Sequence, residues 1–222
     1  MSPLTNNEKI TLAISIIALV VSGISAYFVY LQMESAKAEH MPIFHFKINM
    51  TYNPEKHYFT HDELIISNLG ESITDFDGEK REFLLINYAN CSDLKWKSKK
   101  IVLYDYYLLR FPTSLPKGEL MTLSYPINEE GNNWYVTNFI REFPTVAAKQ
   151  HLLAFVDLNR VFKLTYKDLY GQPHEQYFLV DQYGGREIDS ITGKQLLDSD
   201  PTLLTSVKAL NSTLILDYLP IE

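Results

Sequence analysis

ITLAISIIALVVSGISAYFVYL, residues Ile10 to Leu31, is an unbroken run of 22 residues without a charged side chain. As a helix rising ~1.5 Å per residue it covers about 33 Å, enough to cross a hydrocarbon core of ~30 Å. The run is too long for the apolar part of a cleaved signal peptide, and no small-x-small site leads into a polar mature start. Tyr27, Phe28 and Tyr30 stand at its C-terminal edge, where aromatic rings favour the membrane interface. A core helix of a soluble protein seldom runs so far without a charge. The sequence therefore predicts a short flank at 1–9, a transmembrane helix at 10–32, and a stalk at 33–42 that Pro42 ends.

Within the helix, Thr11, Ser15, Ala18, Ser22 and Ala26 recur at steps of three or four and form one stripe. Small side chains let two backbones approach closely in lipid, and hydroxyls can bond across the contact. Ser15, Ala18, Ser22 and Ala26 are accordingly the candidate face for self-association, although small residues are common in any spanning helix. Lys9 lies before the span and Lys37 and Lys47 after it, and acidic neighbours count little. That asymmetry tips the soluble domain toward the cytoplasm.

Beyond Pro42 the period changes. Phe44, Phe46, Ile48 and Met50 alternate with polar residues, the period of a half-buried strand. Further strands are expected at Glu63–Ser67, Ile73–Phe76, Glu82–Tyr88, Leu94–Trp96, Ile101–Leu109, Leu120–Tyr125, Leu152–Val156, Val161–Tyr166 and Glu175–Val180. Asp77-Gly78 reads as a turn and Glu129 to Asn133 as a polar loop. Short strands at this spacing, with 15 Tyr and 12 Phe, predict a mainly β fold: an antiparallel β-sandwich, immunoglobulin-like or a small barrel, over 43–183. Gly184-Gly185 ends the pattern, leaving a tail at 184–222. There Asp200-Pro201 is expected to start a short helix through Leu203, Leu204, Val207 and Leu210. Leu214, Ile215, Leu216 and Leu219 are too apolar to stay in water and should dock.

ISNLGESITDFD (Ile66 to Asp77), LPKGE (Leu115 to Glu119) and FKLTYKDLYGQPHEQYFLV (Phe162 to Val180) together resemble segments of uncharacterised bacterial single-pass proteins that carry a membrane-anchored β-sandwich. The shared features are turn chemistry, so the resemblance implies a fold and an anchor rather than an activity. By architecture alone, the layout also resembles the small transmembrane effectors of bacterial anti-phage systems, including those paired with retrons.

Catalytic motifs are missing from the sequence. Gly193-Lys194 has no upstream glycine at phosphate-loop spacing and reads as an exposed turn; there is no Gly-x-Ser-x-Gly elbow. Cys91, the single cysteine, sits in the turn NCSD and can form no internal disulfide. His57 and His61 flank a hairpin, too far apart to share a metal. Asp75, Asp77 and Glu79 lack the spacing of a calcium loop and read as a solvated turn. The net charge of −7 disfavours a partner made of free nucleic acid. Lys95, Trp96, Lys97, Lys99 and Lys100 form the one basic cluster, a candidate contact for an anionic partner such as lipid headgroups. A solvated hairpin whose charges block edge pairing is its plainer reading. The sequence thus points to a non-enzymatic membrane protein with no cofactor and no metal. Its expected partners are the bilayer, a second copy through the helix, and a companion protein or ribonucleoprotein that controls it. The first reading is a membrane-perturbing effector of abortive infection; the alternative is a membrane-anchored binding module without toxicity.

Overall fold

The computed structural model describes residues 6–39, 41–55, 57–125, 131–181, 183–198 and 203–219. They fall into two units, divided between Met41 and Pro42. The first is a single helix, α1 (Asn6–Glu39), which continues through the stalk as expected. Its segment Thr11–Met33 is long and apolar enough to cross a membrane, and every side chain in it is exposed.

The second unit is mainly β and holds two sheets. One is four-stranded, in the order β1 (Phe44–Asn53), β2 (Tyr58–Asn68), β6 (Gly118–Ser124), β5 (Leu109–Pro112). The other is six-stranded, in the order β10 (Leu203–Thr205), β4 (Lys97–Leu103), β3 (Thr74–Asn90), β7 (Leu152–Lys167), β8 (Pro173–Asp181), β9 (Gly184–Ile188). All pairs are antiparallel except β10 on β4. Along the longer strands alternation buries one face: Phe46, Leu64, Ile66, Met121 and Leu123 from the smaller sheet meet Leu84, Ile86, Phe162, Leu164, Phe178 and Val180 from the larger. A fully buried side chain of this kind contributes about 1.5–3 kcal/mol.

The three turns singled out in the sequence hold the strands in place. Asn68 is buried at the end of β2, and its Oδ1 accepts from Ile43 N and Gly70 N while its Nδ2 donates to Glu71 O. Asp168 Oδ1 accepts from Tyr170 N and Gln172 N, closing the β7–β8 hairpin over Gly171 at φ 73°. LPKGE leads directly into β6.

Several expected elements differ. The two strands on either side of Asp77-Gly78 are one 17-residue strand, β3, with a register shift between Thr74 and Asp77 where Asp75 takes φ 52°. Long pairing with β7 outweighs the local turn signal there. Leu152 to Lys167 is likewise continuous, and Leu94–Trp96 lies in a loop. Ile101–Leu109 is broken: β4 ends at Leu103 and the chain crosses at 104–108 to the other sheet, where β5 begins. Asn132 and Asn133 do not end a loop but open a helix, α2 (Asn132–Ala148), which buries Val136, Phe139, Phe143 and Ala147 against the core. Gly184-Gly185 starts β9 rather than ending the sheet.

Residues 190–198 form α3 (Ser190–Asp198), so Gly193 is buried in a helix and not in an exposed turn. Leu203 and Leu204 sit in β10; their spacing fits a helix, but the free edge of β4 offers backbone partners. Asp200-Pro201 lies outside the described residues. The short C-terminal helix is α4 (Ser212–Asp217), capped by Asn211. Ile215, Leu216 and Leu219 dock as expected, whereas Leu214 stays exposed.

α3 covers the outer face of the large sheet, where Leu197 packs with Phe83, Val102, Val161 and Tyr177. A Cβ on Gly193 would fall 2.3 Å from the Tyr177 ring. Gly193→Ala should therefore lift α3 off the sheet and lower stability by about 1–3 kcal/mol, as overpacking does. Thermal or urea unfolding checks this; an unchanged midpoint would place α3 elsewhere.

Candidate functional site

On β2 the inward positions are Thr60, Asp62, Leu64, Ile66 and Asn68; on β7 they include Leu158, Arg160, Phe162 and Leu164. Alternation thus sends an acid from β2 and a base from β7 into the interior. Asp62 and Arg160 meet there, with Arg160 Nη2 donating to Asp62 Oδ2 at 2.8 Å. The crossing segment adds two phenols: Tyr106 and Tyr107 donate to the same Oδ2 at 3.0 and 2.9 Å. Burial, then the Asp62 charge, pushes both phenols well above their ordinary values, so they remain donors. Arg160 also lies over the Tyr106 ring. Glu82 stands opposite Arg160 in the β3–β7 register and takes a 2.6 Å bond from Lys80, which also donates to Tyr107 O. α2 locks onto this group through Asn132, whose Nδ2 donates to Tyr106 O.

The cluster is not fully satisfied. Asp62 Oδ1 and Arg160 Nε are buried and have no hydrogen-bond partner among the described residues. Arg160 also lines a cavity of about 1010 Å³ between the β1–β2 hairpin, α2 and β7. Its walls include Ile48, Tyr58, Trp134 and Ile140, with Arg141 and Asn138 among the polar groups. A large, mostly apolar cavity with a few convergent polar groups is the usual form of a small-molecule site. The groups present can bind and orient a ligand. No nucleophile paired with a base stands in the cluster. Among the described residues no three His, Cys, Asp or Glu side chains are placed to hold a metal ion.

The residues expected from sequence fare differently. Lys95 and Trp96 lie in the loop before β4, while Lys97 and Lys99 leave β4 on the face opposite Ser98 and Lys100. Lys100 departs from the cluster: its ammonium donates to Leu196 O at 2.5 Å and lies 4.4 Å from the Phe83 ring. Burial, together with Arg81, lowers its pKa to about 8, so it serves α3 packing rather than an anionic partner. In α1 the stripe residues are exposed, but Ser15 Oγ donates to Thr11 O at 2.9 Å and Thr11 Oγ1 to Asn7 O at 3.0 Å. The hydroxyls of Thr11 and Ser15 thus bond within their own helix, which leaves those two positions close packing rather than a bond across a contact. Asp77 pairs with Arg110 and Asp75 with Lys167; these acids are exposed, as expected, but stand on a strand rather than in a turn. His57 is at the β1–β2 turn and His61 bonds Thr60. Cys91 is exposed, in its turn. Sequence reading missed Asp62 and Arg160, although counting by twos from Leu64 and Phe162 marks both as inward charges.

No family model matches this chain, and no curated protein matches it.

Burial raises the Glu82 carboxyl above its ordinary value of 4.5, and Lys80 offsets this only in part. A raised folded-state value gives stability that is present below pH 4.5 and lost as pH climbs through the folded value. Glu82→Gln should remove that loss: wild type and variant are equally stable in acid, and the variant gains as pH rises. A pH series of unfolding midpoints checks this, and parallel curves would contradict it.

Proposed function

We propose that the protein is a single-pass, non-enzymatic membrane protein whose β-domain receives a signal and whose helix delivers the response. The observation that carries this reading is the cavity beside Arg160, a ligand-sized space backed by a buried guanidinium. A molecule with an apolar or aromatic body fits those walls, whose charged lining groups are Arg141, Asp157, Arg160 and Asp181. Anilinonaphthalene sulfonate is a suitable first probe. Ile140 lines the cavity from α2, so Ile140→Trp should narrow the space and weaken probe binding severalfold, with a folded β-domain verified by circular dichroism. Equal binding by parent and variant would remove the cavity as the receiving site.

For the response, the reading is self-association of the helix in a bacterial inner membrane, with the domain on the cytoplasmic side. The assembled helices would perturb the membrane as the effector of an antiviral, abortive-infection system. A companion protein or ribonucleoprotein would hold them in check. Support comes from the stripe Ser15, Ala18, Ser22 and Ala26 on an exposed apolar helix, where close packing is the main attraction available in lipid. Ala18→Leu with Ser22→Leu should lower cross-linked oligomers and growth arrest together while the protein stays in the membrane. Unchanged oligomers and toxicity would make the helix a tether and favour a membrane-anchored binding module. The identity of the neighbouring genes discriminates between the two on independent grounds.

A further inference from the structure

β7 pairs with β3 along its length but with β8 only from Arg160 onward. Its first half therefore has a free edge. Two bonds show which residues face that edge. At the start, Cys91 N donates to His151 O at 2.9 Å, on the side of β3; past the far end, Asp168 N donates to Gln172 O at 3.0 Å, on the side of β8. β7 has no extra residue of its own between them, so its odd-numbered residues bond β3 and its even-numbered residues face the other way. The N–H and C=O groups of Val156 and Leu158 thus point past the end of β8, which stops at Asp181. They have no hydrogen-bond partner among the described residues.

The cavity runs along this edge. Val156, Asp157, Leu158, Asn159 and Arg160 all line it, although successive side chains leave a strand on opposite faces. Both faces border one space only where it passes the strand's edge, and β3 occupies the other edge. From Val156 to Arg160 the strand rises about 13 Å, room for about four residues of a neighbour. An open edge of this kind is a template for an extended backbone, whose own N–H and C=O groups recur at the same spacing. The surroundings set the side chains of such a neighbour. On the inner side the walls are apolar, with Ile48, Trp134 and Ile140, and Arg160 is held by Asp62. Asp157 and Asp181 leave their strands on the outer side, as Val161 and Tyr177 do beneath α3. Neither acid has an ion-pair partner among the described residues, whereas Arg141 is taken by Asn138 and Glu142.

We propose that the cavity receives an extended segment of a partner protein, added as a strand beside Val156 and Leu158 and in line with β8. Its apolar side chains turn inward to Trp134 and Ile140, and its alternate, basic side chains turn outward to Asp157 and Asp181. The inference rests on the reading of this cavity as the receiving site and names what the site receives. Backbone bonds supply attachment, and the alternation of apolar and basic side chains supplies the choice of partner.

The test uses the full chain in phosphatidylcholine nanodiscs and a labelled peptide with blocked ends, KVKFKVK. The peptide should bind, and it should displace anilinonaphthalene sulfonate from loaded discs but not from empty ones. EVEFEVE reverses the charge, and KPKFKPK keeps the charge but lacks ladder N–H groups; each should bind roughly tenfold more weakly. Asp157→Asn with Asp181→Asn should weaken KVKFKVK by a similar factor, with the fold verified by circular dichroism. In the unmodified chain, KVKFKVK should slow hydrogen exchange at the amides of Val156 and Leu158, a readout that needs no variant. Equal binding of KVKFKVK and KPKFKPK, or unchanged exchange at those two amides, would overturn the proposal. Sulfonate binding that Ile140→Trp weakens, without any peptide binding, would overturn it and leave a small-molecule site. Binding of neither probe would overturn the reading of the cavity itself.

Discussion

One carboxylate oxygen, Asp62 Oδ2, receives bonds from Arg160, Tyr106 and Tyr107, and the interior of the β-domain is arranged around it. Asp62 belongs to the four-stranded sheet, Arg160 to the six-stranded sheet, and the two tyrosines to the segment that crosses between them. A buried guanidinium without a partner would cost several kcal/mol, so these three parts of the chain must stay together. An apolar pair could slide by a residue or rotate; three directed bonds onto one oxygen cannot. The network therefore specifies how the sheets align more than it adds net stability.

What lies on either side of that network differs. Toward the Phe46, Phe162 and Phe178 cluster the two sheets pack directly, with aromatic centroids 5.0 to 5.6 Å apart. Toward the β1–β2 hairpin, α2 takes the place of sheet-on-sheet packing and leaves the cavity that Arg160 lines. The backbone around Gly131 makes this possible, since a Cβ there would strike Thr60 O at 2.3 Å. The tail completes the larger sheet. Asp105 accepts from Val207 N and Ser206 Oγ, holding the last segment against the crossing loop.

Outside the β-domain, the chain presents a helix long and apolar enough to cross a membrane. The helix offers length and apolarity, with the hydroxyls of Thr11, Ser15 and Ser25 returned to its own carbonyls. At one end of the larger sheet Leu94, Trp96 and Phe155 are exposed, with Trp96 stacked on Phe155.

By itself, the sequence determined the membrane-spanning length, the change of period at Pro42, the mainly β character and the turns at Asn68 and Asp168. Each of these depends on neighbours in the chain: hydropathy over 22 residues, alternation over eight, a side chain bonding its own turn. α2 was visible in principle, because Val136, Phe139, Phe143 and Ala147 recur at helical spacing, but Asn132-Asn133 and Pro144 mask its start and interior. The tertiary structure alone decided that Asp62 and Arg160 face each other across 98 residues, that Lys100 turns to Leu196, and that Phe155 joins Trp96. Those pairings are contacts between distant segments. Their energies come from burial and low dielectric around groups that local sequence cannot bring together.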